Sequence, residues 1–369
     1  MKIINVVGTR PNFIKMAPLM EQMLQVPSIN PILLHTGQHF DENMSQIFFE
    51  QLKIPRPHIY LGVGSENNAN QINEIVKRVD PILESENPDA LLVVGDVNST
   101  VACALAASYR KIPVIHVEAG LRSFDRSMQE EVNRYTTDHL SELMFVTEKS
   151  GLDNLAKEKI DLKKVHFVGN VMVDTLRQHS DLAERESCIL ERLELKEGQY
   201  AVVTLHRPCN VDTVDILKPI LEATRKLAKE LKVVFPVHPR TIDKIKEFNL
   251  QHIIDSLSIT DPLPYLDMLL LMSKARLVLT DSGGIQEETT ALGISCITMR
   301  ENTERPITIE KGTNILSGNK GANILLAARN VIDTGGKKGS IPDLWDGKTA
   351  ERIVKVILSW DVICADIGN

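Results

Sequence analysis

The sequence lacks any long apolar run that could cross a membrane or direct export. Its richest apolar segment, residues 263–272, is interrupted by Asp267. The apolar run before Gly8 is too short for a signal peptide. We therefore expect no membrane span and no export signal.

An excess of positive charge is also lacking, since 42 Lys and Arg residues are outnumbered by 49 Asp and Glu residues, which gives a formal net charge of -7. Nucleic acids and anionic membrane surfaces both require a clustered basic face. Neither is expected as the main partner, and any phosphate that the protein binds must be met by local groups.

Cysteine is sparse and has no pattern of a known framework. The five cysteines are odd in number, lie far apart and include no Cys-x-x-Cys spacing; they are Cys103, Cys188, Cys209, Cys296 and Cys364. This usage is typical of reduced, mostly structural thiols, so we expect a cytoplasmic protein.

Two further signatures are missing. His35 and His39 lie four residues apart, but a Thr-Gly pair between them breaks a helix, so no metal site is expected. The first loop holds one glycine, Gly8, in place of Gly-x-Gly-x-x-Gly, which disfavours a nicotinamide dehydrogenase.

A regular alternation of short apolar runs with helical patterns is present. Runs such as Lys2–Val7, Ala90–Val94 and Leu143–Val146 indicate buried parallel strands, each followed by a polar loop and a helix. A chain of this length exceeds what one core supports. The pattern predicts an α/β fold of two Rossmann-like doubly wound domains facing a central cleft.

The domain boundary is expected at about Gly169, where the chain turns polar and helical over residues 172–193. The amino-terminal domain then spans residues 1–168 and the carboxy-terminal domain residues 169–348. The final helix, about residues 349–369, is expected to pack back on the first domain.

Residues 280–288 join an apolar strand to a helix and read Thr-Asp-Ser-Gly-Gly-Ile-Gln-Glu-Glu. Gly283 and Gly284 permit close approach of a ligand, and the amides of a helix start favour an anion. A capped helix is the alternative, because Asp281 and Ser282 are good N-cap residues. The stretch alone leaves both interpretations open.

Polar side chains gather where the predicted strands end, which is where a doubly wound fold presents residues to ligands. In the first half, the cations Arg10 and Lys15 accompany the carboxylates Asp96, Glu118 and the pair at 130–131. Carboxylates and cations in one cleft wall indicate acid/base chemistry on a charged substrate.

Several longer motifs resemble the non-hydrolysing UDP-N-acetylglucosamine 2-epimerases, in the same order over nearly the whole chain. They are Gly8-Thr9-Arg10-Pro11 with Lys15, Gly95-Asp96, His116-Val117-Glu118-Ala119-Gly120-Leu121-Arg122-Ser123, Glu130-Glu131-Val132-Asn133-Arg134, Thr204-Leu205-His206-Arg207, residues 280–288 and Thr303-Glu304-Arg305-Pro306. These motifs are far more specific than a three-glycine fingerprint.

The resemblance implies a glycosyltransferase-B-like fold and interconversion of UDP-N-acetylglucosamine with UDP-N-acetylmannosamine, for cell-surface polysaccharide precursors. UDP would leave by elimination to 2-acetamidoglucal, and readdition on the other face would invert carbon 2. A cytoplasmic homodimer with a UDP-sugar substrate is implied, and no cofactor or metal.

The resemblance also implies roles for individual residues. The acid/base carboxylates would be Asp96, Glu118 and Glu130, without deciding which is the base. The groups near the sugar and diphosphate would be Arg10, Lys15 and His206. The diphosphate and ribose would be held by Ser282, Gly283, Gly284 and Glu288, assisted by Arg305.

The sequence departs from the family pattern at four places. Asn12 stands in place of a usual Glu, Gln129 in place of a usual Pro, and Cys209 in place of the acid of His-Arg-x-Glu. Cys209 puts the support of His206 in doubt. Residues 40–46 differ from the form in bacterial members activated by their substrate, so we expect no such activation.

Three rival functions stay open at this point. One is an epimerase of the same family acting on UDP-2,3-diacetamido-2,3-dideoxyglucuronate, against which the Thr-Glu-Arg-Pro motif at 303–306 argues. A glycosyltransferase of the same fold would leave the several carboxylates of the first half unexplained. A non-catalytic sugar-nucleotide sensor would show no turnover.

Overall fold

The computed structural model describes residues 1–38, 49–64 and 67–367, with side chains described as far as residue 360. The chain forms two compact units. The first unit consists of Met1–Arg177 and Asp343–Asn369, and the second is Gln178–Pro342. The sequence-based departure at 40–46 lies outside the described residues, as does most of a helix expected near 43–52.

The first unit is built on a seven-stranded, fully parallel sheet. Its strands are β1 (Lys2–Val7), β2 (Asn30–His35), β3 (Ile59–Tyr60), β4 (Ala90–Val94), β5 (Val114–Ala119), β6 (Leu143–Val146) and β7 (Val165–Phe167). The order across the sheet is β3-β2-β1-β4-β5-β6-β7. The central strands are apolar at nearly every position because helices cover both faces of such a sheet.

The second unit repeats this architecture with a six-stranded parallel sheet. Its strands are β8 (Tyr200–Thr204), β9 (Lys232–Pro236), β10 (Ser258–Thr260), β11 (Leu277–Thr280), β12 (Cys296–Thr298) and β13 (Asn314–Leu316). The order is β10-β9-β8-β11-β12-β13. Both units are therefore doubly wound, and the predicted α/β class is confirmed.

Helices among the described residues connect these strands. In the first unit they are α1 (Arg10–Leu24), α2 (Asn68–Glu86), α3 (Asn98–Tyr109), α4 (Gln129–Leu140) and α5 (Lys149–Lys157), followed by α6 (Val171–Glu186), which runs into the second unit. The second unit continues with α7 (Ile189–Arg192), α8 (Pro208–Val211), α9 (Val214–Leu227), α10 (Pro239–Glu247), α11 (Gln251–Ile254), α12 (Tyr265–Ser273), α13 (Gly283–Leu292), α14 (Pro306–Glu310) and α15 (Gly321–Thr334). The last helix, α16 (Thr349–Ile367), belongs to the first unit.

The helical stretch expected over residues 172–193 is two helices, α6 and α7. The break falls at Ser187, whose hydroxyl donates to Asp267 at 2.5 Å and accepts from the amide of Ile189 at 3.3 Å. Serine competes for backbone groups in this way and favours helix starts over helix interiors. The division between the units falls between Arg177 and Gln178, inside α6, whereas the sequence places it at Gly169.

The final helix is fixed to the first unit by buried contacts. It packs against α1, and Asp174 accepts a 2.7 Å hydrogen bond from the amide of Ala350 at its start. Just before it, Trp345 is 1% exposed and its indole Nε1 donates to the Thr147 carbonyl at 3.0 Å. A buried indole needs such a partner.

The strand order determines where ligands meet each sheet. In both units the chain direction across the sheet reverses between two central strands, β1 and β4 in the first and β8 and β11 in the second. Ligand crevices of doubly wound folds lie at the carboxyl ends of these strands. The loops that follow β1, β4, β8 and β11 therefore border the expected ligand crevices.

Within residues 1–38, 49–64 and 67–367, none of the helices combines the length and the apolar character that a membrane crossing requires.

Candidate functional site

Glu118 occupies an unusual backbone position at the end of β5. Its φ is +77°, in the left-handed region that disfavours side chains, and the pairing of β5 with β6 shifts register between Val117 and Ala119. The side chain is 2% exposed and forms an ion pair with the ammonium of Lys15 from α1, itself 5% exposed. A strained residue in a buried ion pair marks a functional position.

Asp96 follows β4 at the switch point of the same sheet. It is half-buried, with its side chain 20% exposed, and it forms an ion pair with the Arg134 guanidinium. Before it, Gly95 has φ +67°, and a Cβ there would lie 3.0 Å from the Lys15 ammonium. Glycine at this position therefore lets the Glu118 and Lys15 pair approach the loop that presents Asp96.

Arg134 links Asp96 to a second carboxylate. Its NH2 lies 2.7 Å from Oε2 of Glu131, and this oxygen also accepts from the amide and hydroxyl of Ser123, both at 2.9 Å. Oε1 of Glu131 accepts from the amide of Phe124 at 2.9 Å. Burial raises the pKa of Glu131, but the bonds from Ser123 and Arg134 outweigh it and lower that pKa. Glu131 is thus an ionised structural group. The neighbouring Glu130 is half-buried in the first turn of α4.

The loop after β1 is shaped by Asn12, one of the departures from the family pattern. Its Oδ1 accepts from the amides of Gly8 and Thr9, both at 3.1 Å, and its Nδ2 donates to the Val94 carbonyl at 3.0 Å. A glutamate could not make the last bond because a carboxylate only accepts. Arg10 is half-buried at the start of α1, and burial lowers its pKa.

A fully buried pair, His116 and Asp138, lies behind these carboxylates. Nδ1 of His116 is 2.7 Å from Oδ1 of Asp138, and Nε2 is 2.9 Å from the Gly95 carbonyl. The other oxygen of Asp138 accepts from the amide of Gly120 at 3.1 Å and lies 2.7 Å from NH1 of Arg122. Burial raises the pKa of Asp138, but His116 and Arg122 outweigh it and hold that pKa below its ordinary value.

In the second unit, Asp281 organises the loop after β8. The carboxylate is fully buried, lies 2.8 Å from Nδ1 of His206 and accepts from the amides of His206 and Arg207 at 3.0 and 2.9 Å. Burial raises the pKa of Asp281, but the His206 charge and these donors lower it to about 2. The His206 side chain is 39% exposed, so Asp281 orients an accessible imidazole.

Residues 282–284 form the expected strand-to-helix turn. Ser282 is the N-cap residue of α13 by backbone conformation, and its side chain makes no capping bond. The side chain of Asp281 is directed to His206 instead, so the capped-helix alternative does not explain either residue. The amides at the start of α13 remain an anion-binding arrangement.

Gly283 lies against a buried charged wall. A Cβ at this position would meet Oε1 of Glu304 at 2.6 Å and Cζ of Arg305 at 2.9 Å. Arg305 is 4% exposed, ion-paired with Glu304 and 3.0 Å from Oε1 of Glu287. Arg300 completes the wall at 2.7 Å from Glu304. The two carboxylates hold the Arg305 guanidinium against the turn.

Glu288, one turn into α13, is a buried carboxyl in an unfavourable setting. It is 5% exposed, and burial together with the Glu287 charge raises its pKa from 4.5 to about 8, although the Tyr265 hydroxyl opposes the shift. Among the described residues its Oε1 has no hydrogen-bond partner. A buried acceptor without a donor is costly unless a ligand supplies one.

The structure places the predicted residues in two groups. Around the β1, β4 and β5 ends of the first unit lie Arg10, Lys15, Asp96, Glu118 and Glu130. Around the β8 and β11 ends of the second unit lie His206, Ser282, Gly283, Gly284, Glu288 and Arg305.

The residues that hold these groups have no role assigned from the sequence. Asp138 and Arg134 lie on α4, and their only local signal was the spacing of Glu131 and Arg134, three apart on a helix. The sequence leaves Asp281 as either a helix cap or part of an anion site, and it does not indicate the contact with His206. The doubt raised by Cys209 does not extend to His206, because Asp281 supports the imidazole from another strand end.

Comparisons with known proteins show the family of this chain. Residues 21–358 match the family model described as UDP-N-acetylglucosamine 2-epimerase. The UDP-N-acetylglucosamine 2-epimerase of Methanocaldococcus jannaschii is 40% identical, over 97% of this chain and 99% of that protein. The UDP-2,3-diacetamido-2,3-dideoxy-D-glucuronate 2-epimerase of Pseudomonas aeruginosa is 38% identical over 90% of this chain and 92% of its own.

Solved structures give the same result for the fold. A crystal structure of the M. jannaschii enzyme in complex with UDP-GlcNAc and UDP superposes with a TM-score of 0.91 at 39% identity, covering 97% of this chain and all of that one. The Neisseria meningitidis enzyme bound to UDP-GlcNAc gives 0.89 at 30% identity, with 97% and 100% coverage. The predicted glycosyltransferase-B-like fold class is confirmed, and the chain belongs to the UDP-N-acetylglucosamine 2-epimerase family of isomerases.

Proposed function

We propose that this protein interconverts UDP-N-acetylglucosamine and UDP-N-acetylmannosamine by eliminating and readding UDP. The observation that supports this most is the Glu118 and Lys15 pair beside the Asp96 loop, at the switch point of the first sheet. It places carboxylates and a cation where a doubly wound fold meets its ligand.

The carbon 2 proton of an acetamido sugar is poorly acidic. It can be lost only as the carbon 1 to oxygen bond breaks and positive charge develops at carbon 1. One of Asp96, Glu118 and Glu130 accepts that proton as the diphosphate leaves, which gives 2-acetamidoglucal and UDP. The diphosphate oxygen then re-forms the bond to carbon 1, and a carboxyl group returns a proton to the opposite face of carbon 2.

The leaving diphosphate needs positive potential where its charge develops. In our proposal the amides at the start of α13, with Ser282, Gly283 and Gly284, receive it, while Arg305 backs the turn. His206, held by Asp281, and Arg10 and Lys15 contribute charge near the sugar and diphosphate.

Glu288 is assigned to the ribose in this proposal. Its buried Oε1 lacks a donor, and ribose hydroxyls are donors of the right kind. The homodimer and the cytoplasmic location stay predictions of the sequence.

Proton NMR of UDP-N-acetylglucosamine with the protein tests the proposal. We expect the manno isomer to appear, and in D2O we expect the product to carry deuterium at carbon 2, because the acid/base groups exchange with solvent. An Asp96→Asn, Glu118→Gln double variant serves as the inactive control.

The diacetamido uronate is the second candidate substrate, because the P. aeruginosa relative that acts on it by name is 38% identical. Epimerisation of that nucleotide sugar with none of UDP-N-acetylglucosamine would replace our proposal. Absence of turnover with both, alongside binding of UDP, would favour a sensor.

A further inference from the structure

The carboxylate of Asp138 makes hydrogen bonds on both sides of Glu118 in the sequence. One oxygen bonds to the imidazole of His116, two residues before Glu118, and the other accepts from the backbone amide of Gly120, two residues after it. Glu118 therefore lies at the centre of a five-residue segment whose two ends are held by one buried side chain. We call Asp138, His116, Gly120 and the Gly95 carbonyl the Asp138 clamp.

The segment needs such a support because its backbone is not relaxed. Glu118 has φ +77°, and the left-handed conformation is energetically unfavourable for a residue with a side chain. Gly120 has φ +78° and contacts Gly151 too closely for any Cβ. Without a restraint, the segment would relax toward extended backbone and turn the Glu118 carboxylate elsewhere.

The same clamp reaches the second carboxylate through the imidazole. Nε2 of His116 lies 2.9 Å from the carbonyl of Gly95, the residue that precedes Asp96. That carbonyl belongs to the peptide that leads into Asp96, so its orientation sets the direction in which Asp96 leaves the strand. One pair of side chains thus controls the backbone at the ends of β4 and β5.

The clamp is charged, buried and anchored from outside. Asp138 and His116 are 1% and 0% exposed. NH1 of Arg122 lies 2.7 Å from Asp138, and NH2 and Nε of the same guanidinium donate to Glu158 at 2.7 and 2.8 Å. A buried network with every member satisfied is rigid, and its geometry is defined by many bonds at once. Rigidity of this kind is what a pair of acid/base groups requires.

We propose that Asp138, acting through His116 and the Gly120 amide, is the positioning residue that fixes Asp96 and Glu118 for proton transfer. The inference rests on the proposed function, since it assigns those carboxylates to the reaction. Asp138 itself touches no substrate in this scheme.

The test compares Asp138→Asn with Asp174→Asn. Asp174 is a matched control in the same unit, because it is 2% exposed and also accepts a hydrogen bond from a backbone amide, that of Ala350, which is not part of the clamp. The asparagine at 138 keeps the shape of the side chain, yet its NH2 faces either the His116 ring or the Gly120 amide, both of which need an acceptor.

We expect Asp138→Asn to lower kcat by about 10-fold to 10²-fold, the scale of a misplaced reacting group, while KM changes by less than about threefold. Asp174→Asn is expected to keep the kcat of the wild type at temperatures well below its melting point. Equal losses in the two variants would reduce Asp138 to a stability residue and overturn the proposal.

Two variants of His116 separate the arms of the clamp. His116→Asn retains a donor near the position of Nδ1, and His116→Gln retains one near the position of Nε2. If the clamp works as proposed, each recovers part of the kcat that His116→Ala loses. No recovery by either would contradict it.

Amide hydrogen exchange supplies a readout that is independent of turnover. Amide exchange at residues 95–96 and 118–121 should be faster in Asp138→Asn than in the wild type, whereas in Asp174→Asn it should be unchanged at these residues. A wild type inactive on every nucleotide sugar would disprove the proposed function, and unchanged exchange in Asp138→Asn would separately disprove the clamp. Faster amide exchange in Asp138→Asn together with an unchanged kcat would show that the clamp restrains the backbone without affecting proton transfer. This result also overturns the proposal.

Discussion

The buried carboxyl of Glu288 should make the free protein less stable as pH rises. In the unfolded chain this group loses its proton near pH 4.5, whereas burial and the Glu287 charge keep it protonated up to about pH 8 in the folded protein. The folded state therefore binds more protons between these values, and the free energy of unfolding falls as pH increases. Each pH unit in this interval is worth about 1.4 kcal/mol, and less close to pH 8.

From pH 6 to pH 8 the group should remove about 2 kcal/mol of stability, a sizeable part of the 5–15 kcal/mol typical of a domain. Glu288→Gln has no proton to lose and should abolish this part of the pH dependence. Its unfolding free energy, relative to that of the wild type, should rise by about 2 kcal/mol over the same interval.

Urea unfolding followed by circular dichroism at pH 6, 7 and 8 measures the effect. Tryptophan fluorescence is unsuitable, because Trp345 and Trp360 both belong to the first unit. Glu310→Gln, at an exposed position of the same unit, is the control and should follow the wild type. Parallel curves for wild type and Glu288→Gln would refute the reasoning.

The Glu288→Gln substitution should also weaken the binding of UDP. Above about pH 8 the Glu288 carboxyl is ionised, and ribose hydroxyls that donate to it form charge-assisted hydrogen bonds that a glutamine cannot form. Calorimetry at such a pH should therefore show an affinity for UDP that is lower by about tenfold in Glu288→Gln. Glu288→Gln would then be more stable than the wild type at alkaline pH but would bind UDP less tightly. Both effects together would indicate that the buried carboxyl destabilises the fold and is retained because it binds the nucleotide.

Other substitutions test the remaining parts of the site. Asp96→Asn, Glu118→Gln and Glu130→Gln should each lower turnover by about 10²-fold or more, and wild-type rates in all three would refute their acid/base assignment. Asp281 has its pKa lowered from 3.8 to about 2, so its contribution of about 2 kcal/mol is present above pH 4 and is lost as pH falls toward 2. Acid unfolding of Asp281→Asn should lack this step, and a transition identical to that of the wild type would contradict it. Gly283→Ala should destabilise by about 1–3 kcal/mol and weaken UDP binding, because its methyl group meets the charged wall; unchanged melting and affinity would show that the wall yields freely.

The alternation of strands and helices was readable because central parallel strands are apolar on both faces. Strands Lys2–Val7 and Ala90–Val94 have the predicted bounds. The two strands that escaped prediction, Ile59–Tyr60 and Asn314–Leu316, are two and three residues long and lie at sheet edges. Edge strands are short and less apolar, so pattern alone does not reveal them.

The site was predictable only in part, for a related reason. Residues that follow strands were identified from their position, as with Asp96, Glu118 and His206. Their supports come from other elements: Asp138 lies 22 residues from His116, and Asp281 lies 75 residues from His206. Such pairings depend on the fold, and a local pattern does not record them.

The first unit is discontinuous in sequence, since it consists of Met1–Arg177 and Asp343–Asn369, and this affects the order in which its parts are synthesised. Helix α16 and Trp345 leave the ribosome only after all of the second unit has been made. At about 5–20 residues per second, synthesis of the intervening 165 residues (342 - 178 + 1) takes roughly 10 to 30 s. During that time the apolar surface of α1 that α16 covers is without its partner. The second unit is contiguous, so it can complete its core first, and the first unit can complete its core only after residues 343–369 have been made.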